Sequence, residues 1–339
     1  MKKLLYVYQN YWKTYSSATL SILRGFEKIE NLDVENFEVK PLSYKYNLNR
    51  ILNNLPFVRA TYFNRQNVFL EKLIKTSSFD YVFVMKGTDI NSVTLQNIKR
   101  DNPGIQLICF NPDDPFNLAS SSHEIIESIK HYDYYCIWTK QLEQKLKEAG
   151  AKKIVYFPFG VDEEIIFPVE AEYRYDISFS GNGDEERHRI IHNLVSELKS
   201  RELDINVHVF GNNWYSTDEK LIVHGPQYGK DLLEKIAATK INLNLLRKQN
   251  KNAINMRTFE IPAAGGFMFH EESSEAEQFF TPNKDVVYFS SIKELVDLSE
   301  KYLNDDDTRR KMVEASSKKI SQGNYSYQKI IESSLKNVI

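Results

Sequence analysis

Two cysteines, three tryptophans, five methionines and seven histidines are all that 339 residues hold of those types. Cys109 and Cys136 each sit inside an apolar run, LICF and YYCIW, so no disulfide framework is expected. Both thiols should pack as small core side chains in a reducing, cytoplasmic setting. The histidines are scattered and neither H-E-x-x-H nor C-x-x-C occurs, which argues against a metal site. Apolar runs are short as well. The opening MKKLLYVYQNYW has only five apolar residues in a row, too few for a signal-peptide core or a bilayer span, and reads as a first β-strand. Charge of one sign is lacking too: 44 basic against 46 acidic residues give a net of -2 with no like-charge block, so a nucleic-acid partner is not expected. Divided after residue 163, the halves carry +3 and -5, and the mildly basic first half suits an anionic or lipid-linked partner. No period of about 20 to 50 residues recurs, which excludes a solenoid or propeller.

Aromatics, by contrast, are plentiful. Twenty Phe, twenty Tyr and three Trp make 13% of the chain, and tyrosine in such number points to amphipathic ring surfaces beside the core. With 42% hydrophobic and 27% charged residues the chain is an ordinary globular one, longer than one core serves. Two domains of roughly 150 to 170 residues are expected.

Short β-rich runs alternate with amphipathic stretches, the pattern of parallel βαβ units. Strands are expected at 3–8, 34–39, 80–85, 105–110, 134–138 and 153–157, with helices at 19–28, 47–75, 93–100, 124–130 and 141–148 between them. Residues 157–168, FPFGVDEEIIFP, are rich in proline and glycine and mark a hinge. Beyond it come strands at 176–180, 205–210, 221–224, 241–245, 267–269 and 286–289. Helices are expected at 187–199, from Arg257, at 292–303 and from Asp307, with the run Asp305 to Asp307 as a helix start.

Two segments can carry chemistry. The turn SGNGDEERHR, Ser180 to Arg189, follows a strand and opens a helix, where backbone N–H groups can hold phosphate oxygens. It is neither G-x-G-x-x-G nor a P-loop, and a plain βα turn with solvated arginines is the alternative. The segment NMRTFEIPAAGGF places Arg257, Thr258 and Glu260 at a helix start, followed by Gly265 and Gly266. A carboxylate there can accept from two vicinal hydroxyls, as in ribose binding. Against that stands an i, i+3 Arg257–Glu260 surface pair with AAGG as a helix C-cap.

The pattern R-x-F-E-x-x-A-x-G-G from Arg257 to Gly266, the hinge, and YLNDDDTRRKM from Tyr302 to Met312 resemble the C-terminal half of GT-B glycosyltransferases. The closest groups are the CgeB-like proteins and glycosyl transferases group 1, and NPDDP from Asn111 to Pro115 is similar to a D-D-P segment of the former. The resemblance implies an α/β fold of two Rossmann-like domains facing across a cleft. Their bounds would be an acceptor domain at 1–157, a donor domain at 158–325, and a final helix at 326–339 returning to the first domain. It further implies that Glu260 holds ribose hydroxyls, that Arg257 and Arg187 face the diphosphate, and that the loop from His224 to Tyr228 lies against the base. Gly181, Asn182, Gly211, Arg247, Asn255, Thr258, Gly265 and Gly266 complete the expected donor site. In the E-x7-E pattern of the retaining group the partner of Glu260 falls at Asn252, a departure. No bound metal or other cofactor is implied, since helix dipoles and basic side chains carry the leaving group.

An inverting reaction needs a base, and strand ends of the first domain offer Asp89, Asp113 and Asp114, with Asp114 preferred and a plain turn as the alternative for the last two. His123 and His131, on or beside a helix, fit less well. The polar, aromatic loop from Gln9 to Ser17 suits an acceptor that stacks on rings, and Trp214, Tyr215 and Tyr228 suit the donor. The expected function is transfer of a sugar from a nucleotide-diphosphate sugar to a hydroxyl of a glycan, lipid-linked or protein acceptor, with peripheral membrane contact through that acceptor. A nucleotide-sugar epimerase and a non-catalytic nucleotide-sugar binder are the other readings.

Overall fold

A computed structural model describes residues 1–9, 18–118, 120–164, 168 and 171–339. The chain divides into two compact units. One is Met1–Pro158 together with Tyr327–Ile339, and the other is Phe159–Ser326.

In the first unit the elements run β1 (Lys2–Tyr8), α1 (Ala18–Glu27), β2 (Leu32–Glu38), α2 (Tyr46–Asn53), α3 (Pro56–Thr76), β3 (Tyr81–Met85), α4 (Ser92–Asp101) and β4 (Gln106–Phe110). There follow α5 (His123–Ser128), β5 (Tyr134–Ile137), α6 (Glu143–Glu148) and β6 (Ile154–Tyr156). The six described strands form one sheet in the order β2-β1-β3-β4-β5-β6, parallel throughout. Strands covered on both faces need apolar residues without alternation, and β3, YVFVM, is buried at all five positions. The helix expected at 47–75 is two helices, because Pro56 lacks the N–H an interior position must donate and therefore opens α3 at its first turn. Tyr6 stacks on Phe83 at 5.5 Å and its hydroxyl donates to the Thr19 carbonyl, so part of the aromatic excess is core with a satisfied polar end. Cys109 and Cys136 are buried free thiols, and burial pushes Cys109 up to about 12, matching their reading as core residues.

In the second unit come β7 (Tyr175–Ser180), α7 (Glu185–Ser200), β8 (Val207–Phe210), β9 (Leu221–His224), α8 (Gly229–Ala237), β10 (Thr239–Asn244), α9 (Arg257–Ala263), β11 (Met268–Glu271), β12 (Val287–Phe289), α10 (Ile292–Leu303) and α11 (Asp306–Gln322). Its six described strands are again parallel, in the order β12-β11-β10-β7-β8-β9. Asp305 caps α11 by accepting from the Thr308 N–H, in line with the acidic helix start. Helix α8 is absent from the sequence reading, although Leu232, Leu233, Ile236 and Ala237 form its buried stripe. The last helix, α12 (Tyr327–Ser334), packs on α1 of the first unit, where a Cβ at Gly25 would lie 2.9 Å from Ile331 Cδ1 and 3.0 Å from Tyr327 Cβ.

Both sheets are doubly wound. Consecutive strands run outward from β1 to β2 and then restart at β3 on its other side, and they run from β7 out to β9 and restart at β10. At such a reversal the loops leaving two neighbouring strands diverge and open a crevice at the carboxyl ends.

Candidate functional site

In the second unit the reversal lies between β7 and β10. The loop after β7, Gly181 to Asp184, is held against the loop after β8. A Cβ on Gly211 would lie 2.1 Å from the Gly181 carbonyl oxygen, so this close approach admits only glycine. Asn182 Oδ1 accepts from the Asn212 N–H at 3.0 Å, and the buried Trp214 donates from its indole to the Gly181 carbonyl at 2.7 Å. Trp214 thus braces the turn rather than offering a platform, while Tyr215 is exposed and stacks on His188 at 4.3 Å.

Arg187 ties the two sides of the reversal together. Its guanidinium is buried, donates to the carbonyls of Asn182 (3.0 Å) and Leu245 (2.9 Å), and lies over the Phe179 ring. Burial is the main cause that holds it down at about 10, and Arg247 depresses it further. Its expected role toward a diphosphate is therefore restricted: it frames the crevice through carbonyls. The N-terminus of α7 also differs from a bare phosphate cradle, because Asp184 caps it by accepting from the Arg187 N–H and Glu185 and Glu186 fill its first turn. Asp184, Glu185 and Glu186 line an open pocket of about 390 Å³ with Arg189, Arg247 and Lys248.

Arg257 and Glu260 meet at the start of α9 as an ion pair, with Arg257 Nε donating to the Ser180 carbonyl at 3.2 Å. The pair is largely buried, unlike the solvated surface pair weighed from the sequence. Burial holds Arg257 at about 10; Arg187 lowers it further, whereas Tyr228 raises it. Arg247 thus disfavours the charge on Arg187, and Arg187 that on Arg257. A multivalent anion relieves that repulsion. Tyr228 stands exposed at the N-cap of α8, and His224 ends β9, hydrogen-bonded to His208 at 3.0 Å and stacked on Phe210 at 4.5 Å.

Thr258 and Asn255 depart from the expected donor contacts. Thr258 is fully buried, and its hydroxyl stands 3.0 Å from His270 Nε2, accepts from Asn244 Nδ2 at 3.2 Å and accepts from the Asn255 N–H at 3.2 Å. Asn255 Nδ2 donates to Asn244 Oδ1 at 2.7 Å, and Asn255 Oδ1 accepts from the Thr258 N–H. These two residues fasten α9 to β10 and β11 from within. His270 Nδ1 faces the Glu271 carbonyl, which fixes its proton there and leaves Nε2 to accept from Thr258. Burial pushes His270 down to about 4. Gly266 is likewise internal, since a Cβ there would lie 2.5 Å from Ile236, whereas Gly265 takes φ +80° at the end of α9. Asn252, at the departure from E-x7-E, has φ +61°. His270 and Glu271 carry no motif in the sequence; burial raises the Glu271 carboxyl, which accepts from the Leu246 N–H at 2.9 Å.

In the first unit the reversal lies between β1 and β3. Gln9 after β1 donates to Asp89 after β3, and Asp89 is buried in an ion pair with Arg59 at 2.6 Å. Asp113 pairs with Lys86 at 2.7 Å. Asp114 spends one oxygen on the Phe116 N–H at 2.9 Å in a local turn. The loop from Gln9 to Ser17 lies outside the described residues except for Gln9, as do Ile165 to Phe167 of the hinge. Among the described residues no group of three or more His, Cys, Asp or Glu side chains could hold a metal ion. Nor is any helix there long and apolar enough to cross a membrane.

Residues 187–336 match the family described as glycosyl transferase-like. The fold is that of GT-B glycosyltransferases. Solved structures similar to this chain include Anabaena HepE in complex with UDP-glucose, at 10% identity, covering 100% of this chain and 99% of that one, with a TM-score of 0.65. Sucrose-phosphate synthase from Thermosynechococcus elongatus covers 97% of this chain and 96% of its own, at 9% identity and a TM-score of 0.66. The match to a point mutant of TarM from S. aureus, in complex with fondaparinux, alpha-GlcNAc-glycerol and UDP, covers 80% of this chain and 57% of that one, at 14% identity and a TM-score of 0.60. No curated protein matches. Two doubly wound sheets are the shared architecture, as the α/β pattern of the sequence implied.

Proposed function

We propose that the protein is a glycosyltransferase that takes a nucleoside-diphosphate sugar in the crevice between the β7 and β10 loops. The observation that carries this reading is the buried Arg257–Glu260 pair beside Arg187 and Arg247 at the reversal of the second sheet. Glu260 accepts from the ribose hydroxyls, Arg257 and Arg247 face the diphosphate, Gly181, Asn182, Gly211 and Gly265 let the backbone approach, and Tyr228 and His224 border the base. UDP-glucose is the first donor to try, because HepE was solved with it and TarM with UDP.

Developing negative charge on the leaving diphosphate is met by guanidiniums already in place, so transfer proceeds without a divalent metal. The acceptor is a hydroxyl of a glycan, lipid-linked or protein molecule bound by the first unit. Asp114 is the base that takes its proton, because Asp89 and Asp113 are held in ion pairs with Arg59 and Lys86 while Asp114 spends one oxygen on a local turn.

The test is a thermal-shift series with UDP, GDP, CDP and dTDP, followed by mass detection of products with and without EDTA. Wild-type enzyme should be stabilised by one of them and Glu260→Ala should lose the shift. Failure of every nucleotide to stabilise the wild type refutes the donor site. Asp114→Asn should keep donor binding and lose at least about a hundredfold in transfer. Donor binding without transfer to any acceptor would instead favour a binding protein, the reading kept open by Asn252.

A further inference from the structure

Between Glu38 and Glu71 lie 32 residues without one carboxylate, and they hold five cations, Lys40, Lys45, Arg50, Arg59 and Arg65. The same segment folds as α2 and α3; Val39, Phe63 and Leu70 are buried, but the apolar residues about the corner between the two helices are exposed. Leu48 and Ile51 on α2 and Leu55 just beyond it are spaced i, i+3, i+7 and are 44%, 60% and 47% exposed, while Phe57, at 84%, and Val58 stand at the start of α3. More than half of the large apolar side chains exposed among the described residues fall within 44–69. Scattered exposed leucines need no explanation, whereas a cluster on one short helix and its corner does.

We infer that the α2–α3 corner is a docking surface for an anionic lipid bilayer. An apolar stripe bordered by cations, on a segment free of carboxylates and with Glu38 only at its edge against the Tyr44 hydroxyl, matches the interface of such a membrane, where the rings and aliphatic chains enter the headgroup boundary and lysine and arginine meet phosphate. Of the five cations Arg59 is committed to Asp89; Lys40, Lys45 and Arg65 are exposed. Charge also argues against the other obvious occupant. A second copy of this chain would bring two such basic segments face to face. The surface lies wholly in the first unit and involves none of the donor or base residues, so it stands or falls apart from the glycosyl-transfer reading.

Co-sedimentation of the full chain with vesicles decides it. Vesicles of phosphatidylcholine containing phosphatidylglycerol should pull the protein down, vesicles of phosphatidylcholine alone should not, and added salt should release it. Phe57→Ser and Ile51→Ser should each lower the partition by roughly tenfold, and Lys45→Glu by a smaller factor. Wild-type melting temperatures and donor-induced thermal shifts in these exposed variants guard against misfolding. Equal binding by wild type and the Phe57→Ser, Ile51→Ser double variant overturns the inference. So does absence of binding to anionic vesicles, and so does a concentration-dependent dimer that the double variant abolishes in the absence of lipid binding.

Discussion

Replacing Thr258 by valine keeps the volume of the side chain and removes a hydroxyl that serves three partners. His270 Nε2 loses its donor, and Asn244 Nδ2 and the Asn255 N–H lose their acceptor. Asn244 and His270 are wholly buried, so water cannot take over at either. Each buried polar group left alone costs about 1 to 3 kcal/mol, and the desolvation of the hydroxyl itself is recovered. A local loss of about 2 to 5 kcal/mol is expected. Two compact units make a single global unfolding free energy ill defined, so the measurement is amide hydrogen exchange in β10 and β11. Exchange there should rise by at least about thirtyfold. Thr258→Ser, which retains the hydroxyl and drops a methyl, should cost only about 1 kcal/mol. The reasoning is refuted if the valine variant exchanges like wild type, or if serine is as damaging as valine.

Gly211→Ala places a Cβ 2.1 Å from one backbone oxygen and 2.6 Å from its carbon, with no side chain able to yield, and should destabilise by more than about 2 kcal/mol and abolish the donor-induced thermal shift. Gly104→Ala, whose Cβ would meet nothing within 4 Å and which lies outside the proposed donor site, is the control and should be silent in both readouts. Acid should weaken the second unit. His270 and His208 are buried neutral with values of about 4, so below the unfolded value of about 6.5 the unfolded chain gains protons that the native one refuses. Stability is therefore complete above about pH 6.5 and falls toward pH 4, by up to about 3 kcal/mol for His270. Circular-dichroism melts across that range check this, and a flat melting temperature refutes it.

Much of this architecture is legible in the chain because strands covered on both faces must be unbroken apolar runs, and turns around them need glycine and proline. The breaks in the reading have local causes. Pro56 divides a stretch whose apolar spacing alone looks continuous. At the proposed donor site, the meeting of Arg257 and Glu260 is legible because a cation and a carboxylate three residues apart share a face at a helix start. Thr258, one position along, has the same polar character but turns inward, and only its distant partner His270 on a strand reveals why. Arg187 reads as a phosphate ligand until the carbonyls of Asn182 and Leu245 are found around it. Contacts between residues far apart in sequence decide these cases, and no spacing rule encodes them.

The chain leaves the first unit at Pro158 and comes back to it only at Tyr327. During synthesis the second unit is therefore complete before the first one is. Until α12 emerges, the groove at Gly25 on α1 has neither Ile331 nor Tyr327 to fill it. A fragment ending at residue 158 would thus carry an apolar scar at that groove, and the two units are better separated by supplying the last thirteen residues in trans than by a single cut.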